Sequence, residues 1–227
     1  MLTAPIGLLY KYYPPERIDV FEKWALRFTA PAHFNDIFDT DYSIHDRRDT
    51  KRKLKDRSGL AVFCLTEDAD NHLMWVNYAA QHTGFVLAFD PTDEFFAEAG
   101  GVLRKVEYRD APPDMTFHSD PPLDLCFIKS KDWEYEQEWR CVRQITKGEI
   151  TDVTLPHMAI REIIMGWSIT RPARIALLDA VDSIGQENPI SVSESTPDRH
   201  TWAFGHEKTK HRLCAHCGGL GTLRDKG

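Results

Sequence analysis

The chain has no apolar run near the roughly 20 residues that a bilayer-crossing helix requires. Its opening residues, "MLTAPIGLLYKYYPPER", also lack the basic, apolar, small-residue order of a secretory leader. These absences predict a cytoplasmic protein with no membrane partner. The glycine spacings of a phosphate loop and of a dinucleotide fingerprint are missing as well. An excess of positive charge is absent too: the formal net charge is -7, which argues against a surface coated by nucleic acid. Cysteine is scarce and odd in number. Cys64, Cys126, Cys141, Cys214 and Cys217 cannot all pair, and three lie in apolar contexts that suit reduced, buried thiols, so no disulfide framework is expected.

What is present is enough for a core. With 227 residues, 42% of them hydrophobic and 11% aromatic, the chain can fold as one domain over residues 1–190. Residues 191–227 read as a loosely ordered tail, because core-forming runs are few after about Ile190. Charge is unevenly spread: Asp46–Arg57, "DRRDTKRKLKDR", holds seven basic and three acidic side chains. Such a stretch is either a solvated face or a contact for phosphate.

"IGLLYKYYPP" reads as a strand stopped by Pro14 and Pro15, followed by a short helix over Glu16 to Lys23. "WALRFTAP" reads as a strand, and "HFNDIFDTDYS" as a loop whose Asn and Asp side chains hold turns. "GLAVFCLT" has the length and composition of a buried strand. "DNHLMWVNYAAQHTG" has helical spacing, with Asp70 as its cap and Gly84 at its end. "FVLAFD", "LRKVEY" and "IREIIMGW" are further strands; "DEFFAEAG" and "RPARIALLDAVDSIG" are helices. Helices and strands mix without regular alternation, so the predicted class is α+β on a mixed or mainly antiparallel sheet flanked by helices, which could be split.

"WEYEQEWR", residues 133–140, sets three glutamates on alternate positions among aromatics. As a strand it directs Glu134, Glu136, Glu138 and Arg140 to one face and Trp133, Tyr135, Gln137, Trp139 and Cys141 to the other. Neighbouring carboxylates in such a row lie roughly 6.5–7 Å apart and repel by about 0.6 kcal/mol in water, or about 2.4 kcal/mol at an effective dielectric of about 20. In a cleft the row therefore needs cations, hydrogen bonds or a raised pKa. Arg140 is the nearest counter-charge, with Lys129, Lys131 and Arg143 in reserve.

The strings "LYKYY", "LRFTAPAHFNDIFD", "FCLTEDADNHLMWVNYAAQHTGFVLAFD" and "IKSKDWEYEQEWR" together resemble the bacterial and phage family known as domain of unknown function 2971, over about residues 8–167. Ile37 stands where that family usually has proline. More distantly, the layout resembles the ADP-ribosyltransferase superfamily, whose NAD cleft uses an early His or Arg, a middle Ser, Thr or Tyr, and a late Glu. This resemblance implies a transferase-like sheet and NAD as a small-molecule substrate. It implies an acceptor that is protein, nucleic acid or water, and a setting in phage defence or a toxin system. By position, the early residue is Lys11, the middle one Thr66, and the late pair Glu136 and Glu138. Glu138 would stabilise the oxocarbenium-like sugar and Glu136 would orient or deprotonate the acceptor. Tyr10 or Tyr12 would stack on nicotinamide, while Lys11, Arg27 or Arg140 would serve the cofactor's charged groups.

Two other classes fit the same residues. A magnesium-dependent nuclease would gather Asp36, Asp39, Glu136 and Glu138 around the metal and use the basic stretch near Lys51 to guide a nucleic acid. A non-catalytic module would use the acidic and aromatic cleft to bind a ligand or partner. In the tail, Cys214 and Cys217 with His206, His211 and His216 offer the donor types of a zinc site, crowded into a short stretch and resembling half of a two-unit chaperone zinc repeat.

Overall fold

The computed structural model describes residues 7–39, 43–45, 51–53, 59–98, 101–113, 123–145, 152–156, 159–184 and 190–209. In chain order the early elements are β1 (Leu9–Tyr13), α1 (Asp19–Lys23), β2 (Ala25–Arg27), β3 (Ser43–His45), β4 (Lys51–Lys53), β5 (Leu60–Thr66), α2 (His72–Tyr78), β6 (Phe85–Phe89) and α3 (Glu94–Glu98). There follow β7 (Gly101–Lys105), β8 (Glu107–Arg109), β9 (Ile128–Ser130), β10 (Glu138–Gln144), β11 (Asp152–Thr154), β12 (Ile160–Met165), α4 (Arg171–Ile184), β13 (Ser191–Asp198) and β14 (Ala203–Lys208). The class is α+β with mostly antiparallel pairing, as the residue patterns predict.

The chain divides into two compact units. The first comprises Met1–Tyr10, Ala25–Ala69 and Asp90–Leu155. Here β5 is the organising strand. Its apolar run pairs antiparallel with β10 from Thr66 opposite Glu138 to Leu60 opposite Gln144. β10 pairs on its other edge with β7, and Tyr10 of β1 lies opposite Thr66. Val62, Cys126, Phe127 and Val142 form a buried apolar cluster, with Phe34, Leu60, Cys64 and Leu123 packed against it.

The second unit comprises Lys11–Trp24, Asp70–Phe89 and Pro156–Gly227. β6, "FVLAF", is buried throughout, as a run with no polar alternation must be, and pairs antiparallel with β12. β12 runs parallel to β13, and α4 supplies the crossover that a parallel pair needs. β13 and β14 form an antiparallel hairpin. Residues in the stretch read as a tail thus form two strands, with Val192, Ser193 and Ser195 buried.

Several local expectations need correction. α2 is capped by Asn71, whose Oδ1 accepts from the Met74 amide at 3.1 Å, rather than by Asp70. The helix ends at Tyr78, before Gly84, and Ala80, Gln81 and His82 all have left-handed backbones. "LRKVEY" is broken at Val106 into β7 and β8. Asn71→Ala is expected to destabilise the fold by about 1 kcal/mol in a denaturant titration, the typical cost of losing an N-cap.

The glutamate row is corrected most. Lys131–Glu136 is a 3-10 helix, Gln137 has a left-handed backbone (φ 45°), and only from Glu138 does the chain become strand. The helix is favoured locally because the Ser130 side chain accepts from the Asp132 amide at its start. The alternation of "WEYEQEWR" is therefore not that of a strand, yet Glu136 and Glu138 are both buried.

Candidate functional site

Glu136 and Glu138 can be buried because two cations are buried with them. In the first unit, Lys129 Nζ lies 2.5 Å from Glu136 Oε2 and 3.2 Å from Glu138 Oε2. Arg140 Nε donates to Glu138 Oε1 at 2.8 Å, and its Nη2 donates to Glu138 Oε2 at 2.9 Å. The same guanidinium forks onto Asp39, with Nη1 to Oδ1 at 3.0 Å and Nη2 to Oδ2 at 2.5 Å. Its fifth donor reaches the Cys126 carbonyl at 2.8 Å. All five guanidinium N–H groups are engaged within the protein. The result is one alternating chain, Asp39, Arg140, Glu138, Lys129, Glu136, whose members are each at most 6% exposed.

Aromatic faces complete the enclosure. The Arg140 guanidinium lies 5.3 Å from the Phe34 ring centroid and Lys129 Nζ 4.7 Å from that of Trp133. The Glu138 amide donates to the Tyr108 hydroxyl at 2.8 Å, and the Glu138 carbonyl accepts from the Val106 amide. The Cys64 thiol, on β5 opposite Arg140, hydrogen-bonds the Glu138 carboxylate.

These surroundings separate the carboxylates. Burial alone would raise Glu138, but the charges of Arg140 and Lys129 outweigh it and hold the carboxyl down at about 2. Asp39, with Arg140 as its main cation, is raised above the ordinary aspartate value because burial prevails. Burial disfavours the Lys129 cation, yet Glu138 and Glu136 raise its pKa above that of an ordinary lysine. Burial also raises the Tyr108 phenol, keeping it neutral.

The expected site residues are brought together only in part. Tyr10, Thr66 and Glu138 are brought together: they occupy directly opposed positions on β1, β5 and β10, so their side chains share one face. Glu136 and Arg140 join that group through Lys129 and Glu138. Thr66 is 1% exposed, and its Oγ1 accepts from the Asp68 amide at 3.0 Å. Lys11 and Tyr12 belong to the second unit, and Lys11 projects to the opposite side of β1 from Tyr10. Arg27, on β2, binds Asp152 of β11 through Nε at 3.0 Å. Arg140, expected to serve a cofactor, has instead spent its donors on Asp39, Glu138 and Cys126. Asp36 Oδ1 accepts from the Phe38 amide. Cys214 and Cys217 lie outside the described residues, as do His211 and His216. No group of three or more His, Cys, Asp or Glu side chains among the described residues is arranged to hold a metal ion.

Sequence reasoning missed Tyr108 and the Cys126 carbonyl altogether. The one available signal was Lys129 itself, a charge inside the apolar run "LCFIK" that needs buried acids to be tolerated.

Residues 74–141 match the family model described as "Protein of unknown function (DUF2971)". The match covers less than a third of the 227-residue chain, and over that segment the chain is similar to this family. No curated protein and no solved structure matches the chain. The DUF2971 segment contains Tyr108, Lys129, Glu136, Glu138 and Arg140, most of the ionic chain; Tyr10, Asp39 and Thr66 lie before it. No described helix is long and apolar enough to cross a membrane.

Proposed function

We propose that the Tyr10, Thr66 and Glu138 row binds NAD and breaks its nicotinamide–ribose bond, transferring ADP-ribose to a protein, a nucleic acid or water. The observation that carries this reading is the register of the three strands. An early aromatic, a middle threonine and a late glutamate, far apart in sequence, stand side by side on one face.

The chemistry suits the residue types. The bond between the ribose anomeric carbon and the nicotinamide nitrogen breaks, its electron pair leaves with nicotinamide, and positive charge develops on the sugar. An acceptor lone pair then bonds the same carbon and the acceptor loses its proton. Glu138 is buried and bonded to Arg140 and Lys129, so it acts on the sugar cation through the field of its network, in which three carboxylates face two cations, rather than by touching the sugar. Tyr10 offers a ring face for nicotinamide. Glu136, bound to Lys129, is the second carboxylate and the group closest in kind to an acceptor base. The resemblance to bacterial and phage proteins supports a role in phage defence or a toxin system, and a cytoplasmic site of action.

The test is nicotinamide release from NAD by wild type, Glu138→Gln and Tyr10→Ala, each checked for folding by circular dichroism. Wild type is expected to release nicotinamide, and Glu138→Gln to lower the rate about 10²–10³-fold, the usual loss on removing one electrostatic stabiliser. Absence of release together with no NAD-induced rise in melting temperature overturns the proposal.

A further inference from the structure

In the second unit two histidines, His72 of α2 and His82 after it, meet β14, which carries a third, His206. The His82 ring stacks on Trp75 of α2 with centroids 5.7 Å apart and planes 11° apart, and lies 5.1 Å from the Phe204 ring of β14. His72, from the first turn of α2, is 5.4 Å from His82 and 6.3 Å from Phe204. Two residues beyond Phe204, His206 Nε2 lies 2.7 Å from Asp70 Oδ1, just before α2. β14 is thus held to the α2 region by an aromatic stack and by an ion pair, side by side.

The stack is built at a conformational cost. His82 is the last of three consecutive left-handed residues, with φ of 68°. Its backbone is fixed: its carbonyl accepts from the Ser168 amide at 3.0 Å, and Gly166 packs against that oxygen so closely that a Cβ there would overlap it. The imidazole is therefore held in place by its backbone, and its buried Nδ1 has no hydrogen-bond partner.

That last feature decides how the ring responds to acid. A neutral imidazole can present a bare lone pair at Nδ1, whereas an imidazolium carries a proton on both nitrogens and would leave a buried donor unmet. The Trp75 and Phe204 faces would welcome a cation, but they cannot accept the in-plane Nδ1 proton. His72 stands beside the ring as a second imidazole. Burial first, then His72, holds His82 below the usual histidine value of 6.5. His206 answers oppositely: its hydrogen bond to Asp70 outweighs burial and raises it, with the Asp70 and Glu162 charges adding to the effect.

We propose that the His72, His82 and Phe204 stack and the Asp70–His206 pair form a two-sided pH latch that holds β14 most tightly near neutrality and loosens it in both directions. The sign follows from linkage. His206, raised, contributes attachment that is full below 6.5 and lost as pH rises through its folded value. His82, lowered, contributes attachment that is full above 6.5 and lost as pH falls through its folded value. The alkaline limb belongs to one residue and the acid limb to the other.

Amide hydrogen exchange over Ala203–Lys208, expressed as protection factors from about pH 5 to about pH 8, tests the latch on the intact chain. The expected result is a bell, each limb falling by at most about tenfold per pH unit for its single proton. His206→Gln should flatten the alkaline limb alone, and His82→Gln the acid limb alone. NMR titration of wild type should place the two histidines on opposite sides of 6.5, a readout that survives even if a variant folds poorly. A flat wild-type profile, limbs that persist in both variants, or titration of the two histidines in the reverse order overturns the latch.

Discussion

Arg140→Met is expected to cost about 3–5 kcal/mol of folding stability, the largest loss at any single side chain described here, read as a fall in the urea midpoint. The loss is not the value of five hydrogen bonds. Removing the guanidinium leaves Asp39 and Glu138 facing each other in a dry interior, with Lys129 to serve only the second of them. Uncompensated buried charge is far costlier than a missing surface pair. The loss should narrow in acid. In the native protein Glu138 is held at about 2 against an ordinary 4.5, so its contribution is complete above 4.5 and disappears as pH falls toward 2. Asp39 is raised by burial even though Arg140 opposes the shift; without Arg140 it is raised further and takes up its proton earlier, which relieves the variant as pH falls. Removing the charges together, as in Asp39→Leu, Glu138→Leu and Arg140→Met combined, should recover much of the loss, because a buried network can often be exchanged for apolar side chains at little net cost. A triple variant as unstable as the single one would show that shape, not charge compensation, governs the site.

Gly84→Ala is expected to destabilise the fold by about 3 kcal/mol, measured as the change in unfolding free energy, and to release the close approach between β1 and the start of β6. A Cβ at this position would run into the Tyr13 carbonyl oxygen and meet Pro14 Cα and Tyr13 C at 3.0 Å. All three are backbone atoms, and Pro14 further restricts how its segment can move. No side chain can swing aside, so the clash is met by main-chain displacement, at the upper end of overpacking costs. An Ala variant with unchanged stability would mean that β1 and β6 can separate freely at this point.

Much of the architecture was legible in the sequence for simple reasons. "GLAVFCLT" and "FVLAF" are apolar runs too short for buried helices and rich in residues that suit strands, and both are strands. The long helix over Arg171–Ile184 carries a periodicity that no strand could use. The failures share one cause, which is that tertiary partners override local pattern. "WEYEQEWR" alternates well enough to read as a strand, but alternation does not register that Ser130 can cap a 3-10 turn, or that a left-handed Gln137 can restart the chain in a new direction. The charges themselves were visible, and so was their need for cations. Arg140 and Lys129 were among the cations in reach along the chain, but the capture of Asp39 from 101 residues away depended on strand pairing that no local window contains. Likewise only the register shows that Tyr10, and not its neighbour Lys11, stands opposite Thr66, because a shift of one residue on a strand exchanges its faces.

The separation of Asp39 from Arg140 has a consequence in time as well as in energy. Two charges so distant along the chain can be desolvated together only after β5, β10 and the loop bearing Asp39 have come into place, since closing that loop carries its entropy before the ion pairs repay it. Docking the strands must therefore come first, with the charges still hydrated, and the network must close near the end of folding. A group that forms after the rate-limiting step sets how slowly the molecule comes apart, not how quickly it assembles. On this view the buried chain of charges acts mainly as a kinetic lock, governing the lifetime of the folded protein.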